Sequence, residues 1–310
     1  MTPAETGPDL GRRLRRARRR LLFLGLRALL RMIGFARIGV VGNLAGALQF
    51  HFARGERRRI QHDMALALGR PPGDPAVGSM LREAYRVNNT AVLEVMAMFD
   101  RHHDEDQLGE RCEIEGLDEL RSAMGAGRGA ILLATHAGNA ALLPVKLAHA
   151  AWAVSVVYRE ARMMSAGFLQ AGLERYGIEG ILANTGLRAY GQMLAALKQG
   201  RVVFIMMDQG VRAPKDGLRV RFLGKDAALP AGPAQLARAA RAPLLPVVTT
   251  AARPLWRFAI RPPVALGQGT VESDVETLAR LTERQILDHP QLWSWHHRRW
   301  RKLPAATIDP

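Results

Sequence analysis

Two hydrophobic rhythms divide this chain. From about residue 34 to residue 100, apolar side chains recur every three to four positions, the spacing of helices with one buried face. Arg57–Leu68 has that spacing and stops at Gly69 and Pro71-Pro72, and Ser79–Met98 predicts a second, longer helix. Asp100-Arg-His-His-Asp-Glu-Asp106 reads as a polar loop, with His102, His103, Asp104 and Asp106 a solvated run rather than a metal site. Beyond Glu113 short apolar runs alternate with helical stretches. The runs Ala130–Ala134, Val154–Tyr158, Val202–Met207 and Leu244–Val248 suit strands covered on both faces. The stretches Leu142–Ala150, Met163–Tyr176, Gly186–Lys198, Pro233–Arg241 and Asp274–Leu287 suit helices. Strands alternating with helices predict an α/β fold with a mostly parallel central sheet flanked by helices.

Charge changes the picture at the N-terminus. The chain of 310 residues carries +16 overall, and residues 1–60 hold fourteen Arg against Glu5, Asp9 and Glu56, a net +11. Residues 1–11 have little apolar content. An arginine run from Arg12 to Arg20 follows, and then Leu21–Ile33, interrupted by Arg27 and Arg31. A membrane span needs about 20 mostly apolar residues, so this segment predicts an amphipathic helix lying in a membrane interface. Its competitor is a helix packed on the body through its leucines. Anionic lipid headgroups are the partner such a cluster fits, and no nucleic-acid motif accompanies the basic run. The division expected is 1–37 as a membrane-associating segment, 38–303 as the α/β domain and 304–310 as a tail. A single cysteine, Cys112, excludes an intrachain disulfide framework.

Candidate chemistry concentrates after the run Ala130–Ala134. Thr135 and His136 end that strand, Gly138 and Asn139 suit a tight turn, and Asn139 is a candidate N-cap for the helix that follows. Open α/β sheets bind ligands at the carboxyl ends of their strands. A histidine there is suited to general-base work, since imidazole titrates near neutral pH, and backbone N–H groups at the helix start could face an oxyanion. The competing reading is a histidine that only hydrogen-bonds within its turn.

The segment Gly127-Arg-Gly-Ala-Ile-Leu-Leu-Ala-Thr-His136-Ala-Gly-Asn139 resembles the bacterial lipid A late acyltransferases, part of the lysophospholipid acyltransferase-like group. In that group a histidine is followed, four residues between, by Asp or Glu; here that position is Ala141. Val157-Tyr158-Arg159, Asp208-Gln209 with the later Val220-Arg-Phe-Leu-Gly224, and Leu292-Trp-Ser-Trp-His-His-Arg-Arg-Trp300 resemble further family segments, in family order from about Arg57 to Lys302.

The resemblance implies His136 as the base and Arg159, Asp208, Gln209, Gly138 and Asn139 as substrate-binding positions. It implies acyl transfer from an acyl carrier protein or coenzyme A thioester to a hydroxyl of a lipid acceptor, in lipid A or related glycolipid synthesis. The expected place is the cytoplasmic face of a bacterial inner membrane. No metal or redox cofactor is expected, because a thioester is already activated. With Ala141 in the acidic position, a substitute carboxylate is expected from Asp208, Glu160 or Glu179. The alternative is a weak or inactive relative that binds lipid or a partner enzyme. His296 and His297 read as structural, and the tryptophans around them suit a membrane interface.

Overall fold

The computed structural model describes residues 10–103, 108, 110–125, 127–160, 164–209, 211 and 217–297. The 304–310 tail, Asp104, Asp106 and Trp300 therefore lie outside the described residues.

The expected α/β architecture is what forms. Seven strands make the main sheet: β1 (Cys112–Glu115), β2 (Ala130–Ala134), β3 (Val154–Tyr158), β4 (Glu179–Leu182), β5 (Val202–Met206), β8 (Leu244–Ala251) and β9 (Trp256–Ile260). Their order is β1-β9-β8-β2-β5-β3-β4, parallel at every junction except β8–β9. β2 sits near the middle and every residue in it is buried, which is why it reads as an unbroken apolar run. Helices α5 (Leu117–Met124), α6 (Leu142–His149), α7 (Phe168–Glu174), α8 (Leu187–Lys198), α9 (Gly232–Ala240) and α10 (Val271–Asp288) accompany the strands. Pro144 falls in the first turn of α6, where its missing N–H costs nothing.

A separate hairpin, β6 (Leu218–Phe222) with β7 (Lys225–Leu229), stands apart from the main sheet. Its two-residue turn places both Leu223 (φ 50°) and Gly224 (φ 77°) in the left-handed region, the signature of a type I′ hairpin. The strain at Leu223 is held by its N–H, which donates to Glu283 at 2.6 Å.

The N-terminal half is helical: α1 (Leu10–Ile33), α2 (Ile38–Phe52), α3 (Arg54–Ala67) and α4 (Pro75–Asp100). Helix α2 lies on α4 through Gly42 and Gly46. A Cβ at Gly42 would meet the Thr90 backbone at 2.5 Å, and one at Gly46 would meet the Tyr85 and Arg86 backbone at 2.6 Å. The opposite stripe of α2 is apolar and exposed: Val40, Leu44, Leu48 and Phe52.

Helix α1 is docked in an orientation the sequence pattern does not show. Arg27 and Arg31 point at the body, where both guanidinium groups bond the buried carboxylate of Asp100 at the end of α4 (Arg27 Nε at 2.7 Å, Arg31 Nη2 at 3.0 Å). Phe23 packs edge-on against Phe168. Leu30 packs inward, but most of the other leucines are turned out: Leu21, Leu22, Leu24 and Leu29 are exposed, as is Met32. Among the described residues no helix is long and apolar enough to cross a membrane.

Burial pushes the Asp100 carboxyl up, but the hydrogen bonds and charges of Arg31 and Arg27 together outweigh it, so the group sits below its ordinary 3.8. A depressed folded-state pKa gives stability that is present above the unfolded value and lost as pH falls through the folded one. The clamp is therefore intact at neutral pH and opens in acid. Asp100→Ala is expected to speed amide hydrogen exchange throughout α1 while β2 and β5 stay protected. Unchanged exchange in α1 would show that Phe23 and Leu30 alone hold the helix.

Candidate active site

The register of the sheet assembles the site. Ala134 and Met206 are paired across β2 and β5. The residues two positions beyond each strand end, His136 and Asp208, therefore emerge side by side at the carboxyl edge. His136 Nδ1 lies 2.7 Å from Asp208 Oδ1. Asp208 is fully buried, whereas the His136 side chain keeps 31% of its surface exposed. The other carboxylate oxygen, Oδ2, accepts from Trp293 Nε1 at 2.7 Å and from the His136 backbone N–H at 3.1 Å. An ionised carboxylate only accepts, so the ring proton sits on Nδ1 and the lone pair on Nε2. Nε2 faces the open side.

Of the three candidate substitutes for the acid absent at Ala141, Asp208 is the one that reaches His136. Glu160 instead accepts from the Gly167 N–H at 3.0 Å, and Glu179 bonds Ser155 at 2.6 Å and pairs with Arg201.

The turn that carries His136 is held from several directions. Gly138 has φ 55°, and a Cβ there would lie 2.2 Å from the Trp256 ring, so both the left-handed backbone and the close approach need glycine. Asn139 is not the N-cap; α6 begins after Ala141, with no side-chain cap bond. Asn139 is fully buried and donates to Glu94 Oε2 at 3.1 Å, so it supports the turn from beneath rather than facing the open side. Trp256 Nε1 donates to the same oxygen at 2.6 Å.

The backbone N–H groups of the turn itself are engaged within the protein. That of His136 goes to Asp208, that of Ala137 to the Thr135 carbonyl and that of Gly138 to the Leu292 carbonyl. The last bond belongs to a short antiparallel contact in which Ala137 pairs with Trp293 and the Ser294 N–H donates to the His136 carbonyl. Trp293 and Trp295 are thus core residues, 1% and 2% exposed, and not a membrane-interface pair.

Among the described residues, Gln209 and His297 line the open side of His136. Gln209 Nε2 is 2.9 Å from His136 Nε2 and 3.3 Å from His297 Nε2, and the two imidazole centroids are 5.3 Å apart. The sequence reading treated His297 as structural; the structure places it in the site. No local pattern marks it, since it arrives from the far end of the chain. Arg159 is exposed at the end of β3, beyond β5 from His136, and among the described residues no hydrogen bond or ion pair reaches it. Cys112 is no competing nucleophile: burial pushes its thiol up to about 11, and it lies on β1 at the far edge of the sheet.

The arrangement sets an imidazole with its Nδ1 against a buried carboxylate and a polar amide at its Nε2, a geometry suited to proton transfer. It can take a proton from a hydroxyl and return it to a leaving group.

Comparison with known proteins points to acyltransferases. The sequence profile described as bacterial lipid A biosynthesis acyltransferase matches residues 11–302. A phosphatidylinositol mannoside acyltransferase of Mycolicibacterium smegmatis is 27% identical over 275 residues, 84% of each chain. Its counterpart from Mycobacterium tuberculosis (strain H37Rv) is 27% identical over 265 residues, 81% of this chain and 79% of the other. The crystal structure of a 1-acyl-sn-glycerophosphate acyltransferase from Thermotoga maritima aligns over 80% of this chain and 97% of its own. It does so at 15% identity and a TM-score of 0.36, too distant to bear on the site.

Proposed function

The chain belongs to the bacterial lipid A biosynthesis acyltransferase family, and from that premise we propose that it moves a fatty acyl chain from a thioester to a hydroxyl of a membrane glycolipid. The observation that carries this reading is the 2.7 Å contact between His136 Nδ1 and Asp208, which leaves Nε2 as a base on the open side. Nε2 takes the hydroxyl proton, and the oxygen attacks the thioester carbonyl carbon. The tetrahedral adduct expels a thiolate, which recovers the proton from the imidazolium. The donor is an acyl carrier protein or coenzyme A thioester. Arg159, exposed at the same sheet edge, is suited to an anionic group of either substrate through its fixed fork of donors.

The glycolipid acceptor is suggested by the family description and the two relatives, whose names concern lipid A and a phosphatidylinositol mannoside. The apolar faces of α1 and α2 suit docking on the bilayer that holds such an acceptor. Arg18 and Arg20, exposed beside them, would draw in anionic headgroups, at about 1 kcal/mol per basic residue near the surface. The cytoplasmic face of the inner membrane is where this docking and a cytosolic thioester meet.

A binding-only relative was attractive because of Ala141. It has less to rest on when a different carboxylate lies against His136.

The test is lipid mass spectrometry on a strain lacking the gene, complemented with the intact chain or with His136→Ala. One lipid class gaining the mass of an acyl chain only with the intact protein supports transfer, and its headgroup separates lipid A from a mannosylated phosphoinositide. Identical profiles from the two complemented strains would rule out His136 as the base.

A further inference from the structure

His136 cannot act as a base while Nε2 is occupied, and in this structure it is occupied. Nε2 has one in-plane lone pair, and Gln209 Nε2 sits on it at 2.9 Å. The amide must present its NH2 there, because a carbonyl oxygen would face the lone pair with its own. The second N–H of the same NH2 points to His297 Nε2 at 3.3 Å. An acceptor hydroxyl therefore has to displace Gln209 before it can donate its proton. The reaction then needs a donor for the thioester oxygen, on which negative charge grows during attack. The backbone N–H groups of His136, Ala137 and Gly138 are each used inside the protein, by Asp208, Thr135 and Leu292. Gln209 is the donor beside Nε2.

We propose that Gln209 is a displaceable cap on the catalytic nitrogen of His136 that, once the acceptor hydroxyl has replaced it, donates its freed N–H to the thioester oxyanion. This rests on the acyl-transfer reading above. His297, still bonded to the other N–H, keeps the amide beside the reacting carbon and is a positioning residue. In the step, the hydroxyl O–H breaks as its proton goes to Nε2. The new C–O bond forms while the carbonyl π pair moves onto oxygen, where Gln209 donates. The pair then returns, the C–S bond breaks, and the sulfur takes the proton from Nε2. One amide thus serves two states. In the free enzyme it shields the imidazole, and in the adduct it stabilises charge that did not exist in the ground state, which is the form of binding that raises kcat.

The test uses the full chain in vesicles of anionic phospholipid carrying a glycolipid acceptor, with an acyl thioester as donor. Gln209→Leu keeps the shape and removes both N–H donors, and Gln209→Glu keeps a polar group and removes donation. Both are expected to lower kcat about 10²–10³-fold, the loss seen when one oxyanion donor is removed, with a smaller change in KM. Nitrogen-15 NMR of the histidines reads the cap independently of turnover. Among the described residues, Asp208, Gln209 and His297 face the His136 ring. Gln209→Leu removes the hydrogen bond from the lone pair, so the His136 Nε2 resonance should shift toward that of a lone pair without a donor. His297→Ala is expected to show a milder kcat loss that His297→Asn partly restores. A kcat within twofold of the parent in Gln209→Leu, or an unmoved His136 Nε2 resonance, overturns the proposal while parental activity leaves the acyl-transfer reading standing. A folded parental chain that transfers no acyl group overturns both.

Discussion

Asp208→Asn is expected to lower kcat by about 10⁴-fold with little change in KM or fold. The magnitude is that of the equivalent change in a Ser-His-Asp site, where the wrong tautomer is the cause. Here the direction follows from counting donors. Asp208 accepts one N–H at Oδ1, from His136 Nδ1, and two at Oδ2, from Trp293 Nε1 and the His136 backbone. An asparagine has one oxygen and one NH2 for these two positions. With the oxygen toward Nδ1, the NH2 would oppose two N–H donors in a fully buried pocket, each mismatch costing about 1–3 kcal/mol. With the NH2 toward Nδ1, both of those donors keep their acceptor and only the imidazole must adjust. It does so by shifting its proton to Nε2, the nitrogen needed as a base. Steady-state kinetics with thioester and acceptor give the loss, and nitrogen-15 NMR gives the tautomer. A variant within tenfold of the parent would show that Asp208 does not set the working form of His136.

Glu94→Ala is expected to cost about 3–5 kcal/mol, a large share of the 5–15 kcal/mol by which a folded protein is stable. Glu94 is 6% exposed, and one of its oxygens accepts from both Trp256 Nε1 and Asn139 Nδ2. Truncation orphans both donors in the interior and leaves a void beneath the turn that carries His136. Urea unfolding measures the loss, and a shift below 1 kcal/mol would mean that water reaches the pedestal. Glu94→Gln separates packing from charge. Burial pushes the Glu94 carboxyl above its ordinary 4.5, partly offset by the hydrogen bonds from Asn139 and Trp256 and the charge of Arg111. A raised carboxyl pKa makes its contribution to stability greatest below the unfolded value, and that contribution is lost as pH rises through the folded value. Gln should therefore compare least well with Glu in acid and improve toward neutral pH. A difference that does not move with pH would indicate that Glu94 keeps one protonation state throughout.

The parts of this site that could be read from sequence are those that sit at the ends of strongly apolar strands. Ala130–Ala134 and Val154–Tyr158 form over the expected residues, the first because a strand buried on both faces has no polar alternative. Asp208 could be paired with His136 as a hypothesis because both follow such runs. The supports were not legible. Glu94 lies mid-helix in a pattern that reads as ordinary amphipathic sequence, and its partners are 45 and 162 residues away. Trp293 and His297 meet the site through a contact between distant segments that leaves no periodic trace. The edge strands β1 and β4 are only four residues long, and β1 alternates Glu with apolar residues while β4 has a Glu and a Gly, so burial did not write them into the composition. The hairpin was within reach: Leu218-Arg-Val-Arg-Phe222 alternates with period two before a Leu-Gly turn. The docking of α1 was not, because a helical wheel shows that arginines share a face but not that Asp100 waits opposite them.

Helix α2 inverts the usual tolerance of a surface helix to change. On most helices the inward positions demand large apolar side chains and the outward ones accept almost anything polar. In α2 the inward contacts at Gly42 and Gly46 leave no room for even a methyl group, while Val40, Leu44, Leu48 and Phe52 look outward. Close backbone approach through small residues, with bulky apolar groups on the far side, is how helices pack when hydrocarbon surrounds them. Drift in this sequence should accordingly be free among aliphatic and aromatic residues at the four outward positions. It should be closed at the two glycines, and charges would be weeded out where a water-facing helix welcomes them.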